Sequence, residues 1–456
     1  GFTRTMASMF EGCTNLKKDI VIPKNADVVE NMFKNCTSMT HVHSNWDETY
    51  NDSGIITEDC YSGCTSITHI DDVALSLNEY TSGLDNIPPE WGGYGYSKEY
   101  TGIYKVEILS PNYTFSFASD GLLDNGYINW GDGTITQNEY SHTYVNAGVY
   151  TIKGKVHSTY ETATDSMKLC LKEILQYPIY GNLANAFIGC TALISANISG
   201  NKYFSIRGRT GVFQNCTNLE RVIALDTKLE KEVAHISAFQ SCKKLREIIG
   251  LEDFIYNTLN LMNCFAYCPS LPNFTLSEDA LKNCTSLYQA FSGCTSLTES
   301  PIKTFVSNSD SLSIGRVFMG CTNITDISGV TFGENITNAD NWYPPNLTTA
   351  NNVTIKNKVV SFGGNTTLQY CNNLRSYYPK GFNGCTALVE LKNLLIKSED
   401  GTVISDYGIN AYRTCNKLKI IKFDPNCKIK YIGCDFMFNE NPLLEEVDFG
   451  GGVTLE

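Results

Sequence analysis

The chain has 456 residues, too many for one compact core, so it reads either as several domains or as a repeat array whose length no single core limits. Its 35 basic and 48 acidic residues leave a net charge of −13, which repels phosphate backbones and anionic lipid and argues against nucleic-acid or membrane-surface partners. Eighteen cysteines would suggest a disulfide scaffold in a tiny secreted module, but an apolar fraction of 42% is enough for real cores and excludes low-complexity disorder.

No apolar run approaches the ~20 residues needed to span a bilayer. The chain starts at Gly1 with no signal-peptide pattern, which reads as a processed or trimmed piece of a longer protein. Self-comparison then finds an eight-residue phrase. It occurs as MFEGCTNL (9–16), MFKNCTSM (32–39) and CYSGCTSI (60–67), and after a gap as AFIGCTAL (186–193), VFQNCTNL (212–219), AFQSCKKL (238–245), CFAYCPSL (264–271), AFSGCTSL (290–297) and VFMGCTNI (317–324). GFNGCTAL (381–388), AYRTCNKL (411–418) and MFNENPLL (437–444) complete the set, with weaker echoes at 280–287 and 367–374. From Cys190 through Cys216, Cys242 and Cys268 to Cys294 every step is 26 residues, and Asn441 takes the cysteine slot 26 residues after Cys415. A fixed step of this length is the mark of a solenoid.

Counted from the cysteine as zero, apolar residues at −4, −3, 0 and +3 predict one stripe of a short helix. Those at +3, +6 and often +8, as in Leu418, Ile421 and Phe423, predict a strand. Each coil is expected to be a short helix followed by a short strand, with stacking supplying a core that no single coil could form. The stretch LKIIKFDPNCKIKYIGCDFMFNENPLLEEVDF (418–449), together with the AF-x-x-C-x-x-L phrases, resembles the BspA-type leucine-rich repeat of bacterial cell-surface proteins. The resemblance covers about 1–85 and 170–456 and implies an α/β solenoid of leucine-rich repeats. Ile22-Pro23 keeps the family's I-P after the strand, and most other coils depart from it. The period breaks between Cys321 and Cys385, where NWYPPNLTTANN (341–352) reads as a loop insertion.

Between Cys64 and Cys190 the phrase is absent and the sequence becomes β-rich, with IYKVEIL (103–109), YTFSF (113–117) and VYTIKGKV (149–156) separated by Gly-Asp-Asn turns. WGDGT (130–134) followed by SHTYVNAGVYTI (141–152) resembles the polycystic-kidney-disease (PKD) domain, an immunoglobulin-like all-β sandwich. Trp130 would anchor its core, Gly131 and Gly133 permit a tight turn, and Asp132 is expected to bond turn amides rather than calcium. The expected organisation is a repeat segment over 1–85, a linker over 86–100, the sandwich over 101–168 and a solenoid over 169–456.

Thirteen cysteines occupy the zero slot, where the period demands a small buried apolar group, so they are expected to be buried thiols. Cys60/Cys64 and Cys264/Cys268 have the spacing of a ligand pair, but other coils place Met, Ala or Val at −4, so the extra cysteines read as core residues. His41 and His69 fall at +5, His43 and Asp71 at +7. Stacked strands would gather these four into a candidate metal set, whose alternative is a solvated face; no metal and no cofactor are favoured. The +5 column continues as Ser195, Arg221, Glu247, Glu299, Asp326, Glu390 and Glu446, a mostly acidic and solubilising face.

No catalytic motif is found, neither G-x-S-x-G nor H-E-x-x-H nor a phosphate-binding glycine loop. N-x-[ST] sequons occur, for example at Asn112 and Asn346; four, including Asn35 and Asn283, fall in or beside the repeat phrase, so they are read as repeat composition rather than glycosylation signals. Aromatics outside the repeat slots, Trp91, Tyr94, Tyr96, Trp342 and Tyr343, are the candidate ligand contacts, with packing against the solenoid as their other reading. The resemblance implies a non-enzymatic adhesion or binding protein, secreted or at the cell surface, with a protein or glycan ligand and no membrane insertion of its own. The alternatives are a recognition appendage of a polysaccharide-degrading or viral attachment assembly, and a plain stalk.

Overall fold

The repeated phrase folds as a run of tight turns. In a computed structural model the described residues are 5–17, 21–22, 31–39, 41–44, 69–70, 102–117, 127–137, 139–154, 163–178, 182–202, 208–229, 231–378, 381–398 and 400–456. They divide into two units, one of residues 1–182 and 196–203, the other of 183–195 and 204–456.

In the second unit every strong phrase whose −5 residue is described holds left-handed residues at −5 and −1, as Ser237 and Ser241 before Cys242, Asn263 and Tyr267 before Cys268, and Gln289 and Gly293 before Cys294. A left-handed residue interrupts the i→i−4 ladder of an α-helix, so the expected short helix does not form. Three-residue closures replace it: Cys216 N–H donates to Phe213 O at 3.0 Å and Leu219 N–H to Cys216 O at 3.0 Å. Among the described residues the α-helices are Asp165–Cys170, Leu251–Phe254 and Glu278–Leu281, none in a strong phrase. The architecture is a β-solenoid of stacked coils.

Coils are joined by backbone bonds, Phe213 N–H to Ala238 O at 2.8 Å, Phe239 N–H to Cys264 O at 2.8 Å and Phe265 N–H to Ala290 O at 2.9 Å. Their strands pair in parallel, Arg221–Ile223 with Glu247–Ile249, and Thr304–Phe305, Thr331–Phe332, Thr354–Ile355, Arg375–Ser376, Glu390–Ile396, Ile420–Phe423 and Glu446–Asp448 in one sheet. Inside, the −3 rings form a stack. Phe187, Phe213, Phe239, Phe265, Phe291 and Phe318 follow one another at centroid distances of 5.6, 5.7, 5.5, 5.6 and 6.0 Å. Each such buried ring contributes about 1.5–3 kcal/mol relative to exposure.

Residues 341–352 are not a loop insertion but part of a coil. Trp342, Leu347, Ala350, Val353 and Ile355 are buried in the positions that Phe318, Ile324, Ile327, Val330 and Phe332 hold one coil earlier. Pro344 lies buried in the cysteine slot, its carbonyl accepting from Leu347 N–H at 3.2 Å. The next coil places Asn365 there, between Phe362 and Leu368. Thr331 pairs with Thr354, Thr354 with Arg375 and Arg375 with Leu395, so these coils are 23, 21 and 20 residues long. The period shortens without breaking.

In the first unit two N-terminal coils follow the same rules. Phe10 stacks on Phe33 at 5.5 Å, Cys36 Sγ donates to Phe10 O at 3.0 Å, and the backbone register sets His41 opposite His69. The β-rich segment builds an antiparallel sheet in which Gly102–Ile108 pairs with Gly148–Gly154 and Leu171–Gln176, and Tyr127–Asn129 pairs with Ile135–Gln137. Tyr113–Ser116 and Ser141–Tyr144 form a second antiparallel pair. Trp130 is fully buried, donates Nε1–H to Thr136 Oγ1 at 2.9 Å and accepts at its carbonyl from the Tyr144 hydroxyl at 2.8 Å. Gly131, at φ +84°, has room for no side chain, since a Cβ would sit 2.5 Å from Thr151 O. Asp132 bonds within its turn, accepting from Thr134 N–H at 2.9 Å, and its other oxygen meets His142 Nε2 at 2.7 Å. The 86–100 linker lies outside the described residues.

Candidate functional site

Parallel stacking turns each coil position into a column of outward side chains. At +5, Arg221 pairs with Glu247, and Glu390 with Ile420 and then Glu446. Isolated bridges run from Asp326 through Thr349 and Tyr370 to Glu390. The shortened coils thus bring Thr349 and Tyr370 into a column expected to be mostly acidic. Its carboxylates also have local cations: Glu247 meets Arg221 at 2.6 Å, Glu390 meets Lys392 at 2.6 Å, Glu446 meets Lys422 at 2.8 Å and Glu299 meets Lys303 at 3.7 Å. Lys392 and the Asn372 amide hold the Glu390 carboxyl below its usual range. Exposed pairs of this kind contribute at most about 1 kcal/mol each, and they leave no single-sign acidic patch along the column.

Trp342 is not a surface contact. It is 1% exposed, its Nε1–H donates to Ser361 O at 3.1 Å, and its ring packs between Phe332 at 4.7 Å and Phe362 at 5.6 Å. A coil with no phenylalanine at this position needs a large ring to continue the stack, which is why the tryptophan turns inward. Tyr343 stays half-exposed against the edge of Trp342 at 5.7 Å. Trp91, Tyr94, Tyr96 and Asp71 lie outside the described residues, as do the side chains of His41, His43 and His69. Among the described residues no three His, Cys, Asp or Glu side chains converge as a metal site would require.

Apart from the exposed Cys13, the described slot cysteines are buried, and among the described residues every cysteine is a free thiol. Burial pushes the Cys268, Cys284 and Cys321 thiols up to about 12, and Cys216, Cys242, Cys264 and Cys294 also rise well above their ordinary range. A nucleophilic or metal-binding cysteine needs the opposite shift. Cys264 and Cys268 are thus core residues; Cys60 and Cys64 lie outside the described residues.

One outward column escaped sequence reading. Lys356 N–H donates to Phe332 O at 2.8 Å, Tyr377 N–H to Ile355 O at 2.9 Å, Lys397 N–H to Ser376 O at 3.1 Å and Lys428 N–H to Ile396 O at 2.9 Å. Each residue bonds the last buried strand residue of the coil before; Lys356, Tyr377 and Lys397 hold one equivalent position in three successive coils, and Lys428, which leads into Ile429 of a second sheet, joins the column through its bond to Ile396 O. Their separations of 21, 20 and 31 residues hide the alignment. Only the hydrogen-bond register exposes it.

Stacked turn-and-strand coils around a ladder of rings and thiols define a leucine-rich repeat protein. The BspA type leucine rich repeat region matches in six copies, over residues 2–80, 181–258 and 211–342. These matches cover more than half of the chain, which belongs to the BspA-type leucine-rich repeat family. No curated protein matches. Among solved structures, a leucine-rich repeat protein from Bacteroides ovatus is similar at 18% identity over 68% of this chain and 90% of that one, with a TM-score of 0.22.

Proposed function

We propose that the chain is a non-enzymatic binding protein, secreted or displayed at a cell surface, whose coils present ligand contacts to a protein or glycan partner. The observation that carries this reading is the rigid register of the outward columns. Backbone bonds and the internal ring stack fix each side chain relative to its neighbour one coil away, so the surface is pre-organised and little ordering entropy opposes binding. Proteins of this family are often surface proteins involved in binding. Titration behaviour also supports a non-catalytic role: the buried thiols are held protonated, and burial, with Arg209 beside it, holds His235 neutral by lowering it to about 3. Among the described residues no helix is long and apolar enough to cross a membrane.

Residues 101–168 are read as a PKD-like, immunoglobulin-like module set between repeat segments 1–85 and 169–456. Support comes from the buried Trp130, the Tyr144 hydroxyl on its carbonyl, and Phe117, which lies 5.1 Å from Phe115 and 6.1 Å from Trp130 and so joins the two antiparallel pairings in one core. The module acts as a spacer or adds loops for contact. Trp91, Tyr94, Tyr96 and Tyr343 remain contact candidates, and no cofactor is assigned. An array of matrix proteins and glycans probed with the whole chain tests the proposal. Saturable binding to one ligand class at micromolar concentration is expected; no binding to any class would leave a stalk.

A further inference from the structure

We propose that the column of Lys356, Tyr377, Lys397 and Lys428, with Arg375 beside it, binds an extended oligosaccharide bearing sulfate or carboxylate groups. The proposal names the ligand class and the face for the binding scaffold above, and rests on that reading. Successive coils are about 4.8 Å apart, so the column offers a cation, a ring, a cation and a cation at that interval. Arg375 is exposed two residues before Tyr377, on the same outward side of the strand, with Ser376 buried between them.

Arg375, Lys397 and Lys428 differ from neighbouring lysines of the solenoid, which meet carboxylates. Lys392, Lys422 and Lys430 pair with Glu390, Glu446 and Glu456 at 2.6–2.8 Å. Among the described residues Arg375, Lys397 and Lys428 have no ion pair. Lys397 and Lys428 also converge. The point where a Cβ on Gly401 would lie is 3.7 Å from Lys397 Cε and 3.9 Å from Lys428 Nζ, and Gly401, at φ +76°, occupies a conformation that side chains disfavour. Like charges on two side chains that flank one point repel each other, and an oxyanion held at that point would relieve the repulsion.

A cleft of roughly 430 Å³ opens at this point, lined by Lys397, Val403, Asn426, Lys428, Gly452 and Thr454. Its floor carries no side chain at Gly452, where a Cβ would fall 1.6 Å from Cys427 O. Further along the column, Lys356 Nζ sits 5.4 Å from the centroid of the Tyr377 ring, which is half-exposed, and Tyr378 is 41% exposed next to it. An aromatic face packs against the C–H face of a sugar ring, while ammonium and hydroxyl groups fix its polar substituents.

The pattern favours a glycan over other anionic chains. Cations beside an exposed ring suit a polymer of sugar rings that bear anionic substituents, and a pyranose unit advances about as far as one coil.

Calorimetric titration of the whole chain with chondroitin sulfate hexasaccharide, its desulfated counterpart, which keeps the carboxylates, and a neutral cellohexaose tests the assignment. The anionic probes are expected to bind and the neutral one not, with affinity falling as salt rises from about 50 to about 200 mM. Binding of the sulfated probe alone assigns sulfate, and equal binding of both assigns carboxylate; either result supports the site. The double substitution Lys397→Ala/Lys428→Ala should weaken binding about tenfold or more, and Lys397→Arg/Lys428→Arg should retain it. Unfolding curves matching the parent show that the surface changes spare the fold. Three outcomes would overturn the proposal: parental affinity in the alanine variant, tighter binding of polyglutamate or oligo-dT, or no binding of anionic probes. If a protein or neutral glycan still binds in the last case, the scaffold reading survives; if nothing binds, both fail.

Discussion

The thiol of Cys242 donates to the carbonyl oxygen of Phe213, one coil earlier, at 3.0 Å. Cys216 does the same to Phe187, Cys268 to Phe239, Cys294 to Phe265 and Cys321 to Phe291, all at 2.9–3.0 Å. Where asparagine replaces cysteine, Asn441 Nδ2–H reaches Tyr412 O at 2.8 Å and its Oδ1 accepts from Cys415 N–H at 2.7 Å. In these coils the slot holds a small side chain that donates across the coil boundary, not merely a small apolar one; Pro344 and Asn365, in the shortened coils, make no such bond. Without the Cys242 thiol the Phe213 carbonyl would keep only its bond from Cys216 N–H within its own coil, its second acceptor site buried and unused.

Substitution at this slot separates packing from hydrogen bonding. Cys242→Ala should destabilise by about 1–2 kcal/mol, combining a small cavity with the lost donor. Cys242→Ser keeps a donor and should lose less. Urea unfolding of both variants measures the order, and a serine variant weaker than the alanine variant would show that only apolar filling matters.

Trp342 continues the ring stack across the shortened coils. Trp342→Ala should cost about 3–5 kcal/mol, as expected for deleting a large buried ring, and Tyr343→Ala distinctly less. Equal losses in chemical denaturation would contradict the burial of the tryptophan.

Thiol reactivity follows burial. Alkylation of the native protein near pH 8, read by peptide mass spectrometry, should modify the exposed Cys13 readily and Cys434 more slowly. Cys216, Cys242, Cys264, Cys268 and Cys294 should react only in denaturant. Recovery of Cys264 and Cys268 as an oxidised pair without added oxidant would defeat the core reading of that spacing.

Acid should weaken the coil around His235. Burial, with Arg209 adding to it, lowers its pKa from the ordinary 6.5 to about 3. As pH falls below 6.5 the unfolded chain takes up a proton that the folded protein refuses until about 3, so the neutral ring's contribution is present above 6.5 and is lost on acidification. From pH 7 to pH 5 the loss should be about 2 kcal/mol. His235→Phe keeps a ring beside Phe254, which now lies 4.9 Å away, and removes the titration. Urea midpoints of parent and variant should diverge at pH 7 and converge toward pH 5, and parallel pH profiles would refute the assignment.

The sequence by itself determined what depends on covalent order: the 26-residue step, the apolar faces at −3, 0, +3 and +6, and the tight turn that follows the buried Trp130. Each follows from local spacing, because a period of apolar residues leaves few ways to hide them. The turn character of the phrase was written in its Asn, Ser and Gly at −5 and −1, a signal that the apolar stripe outweighed. Tertiary structure alone decided the rest. Coils of 20 to 23 residues appear once strand pairing sets Thr354 beside Thr331 and Arg375, and that pairing turned Trp342 inward. The column of Lys356, Tyr377, Lys397 and Lys428 exists only through backbone bonds between coils of unequal length, so no fixed spacing along the chain could have announced it.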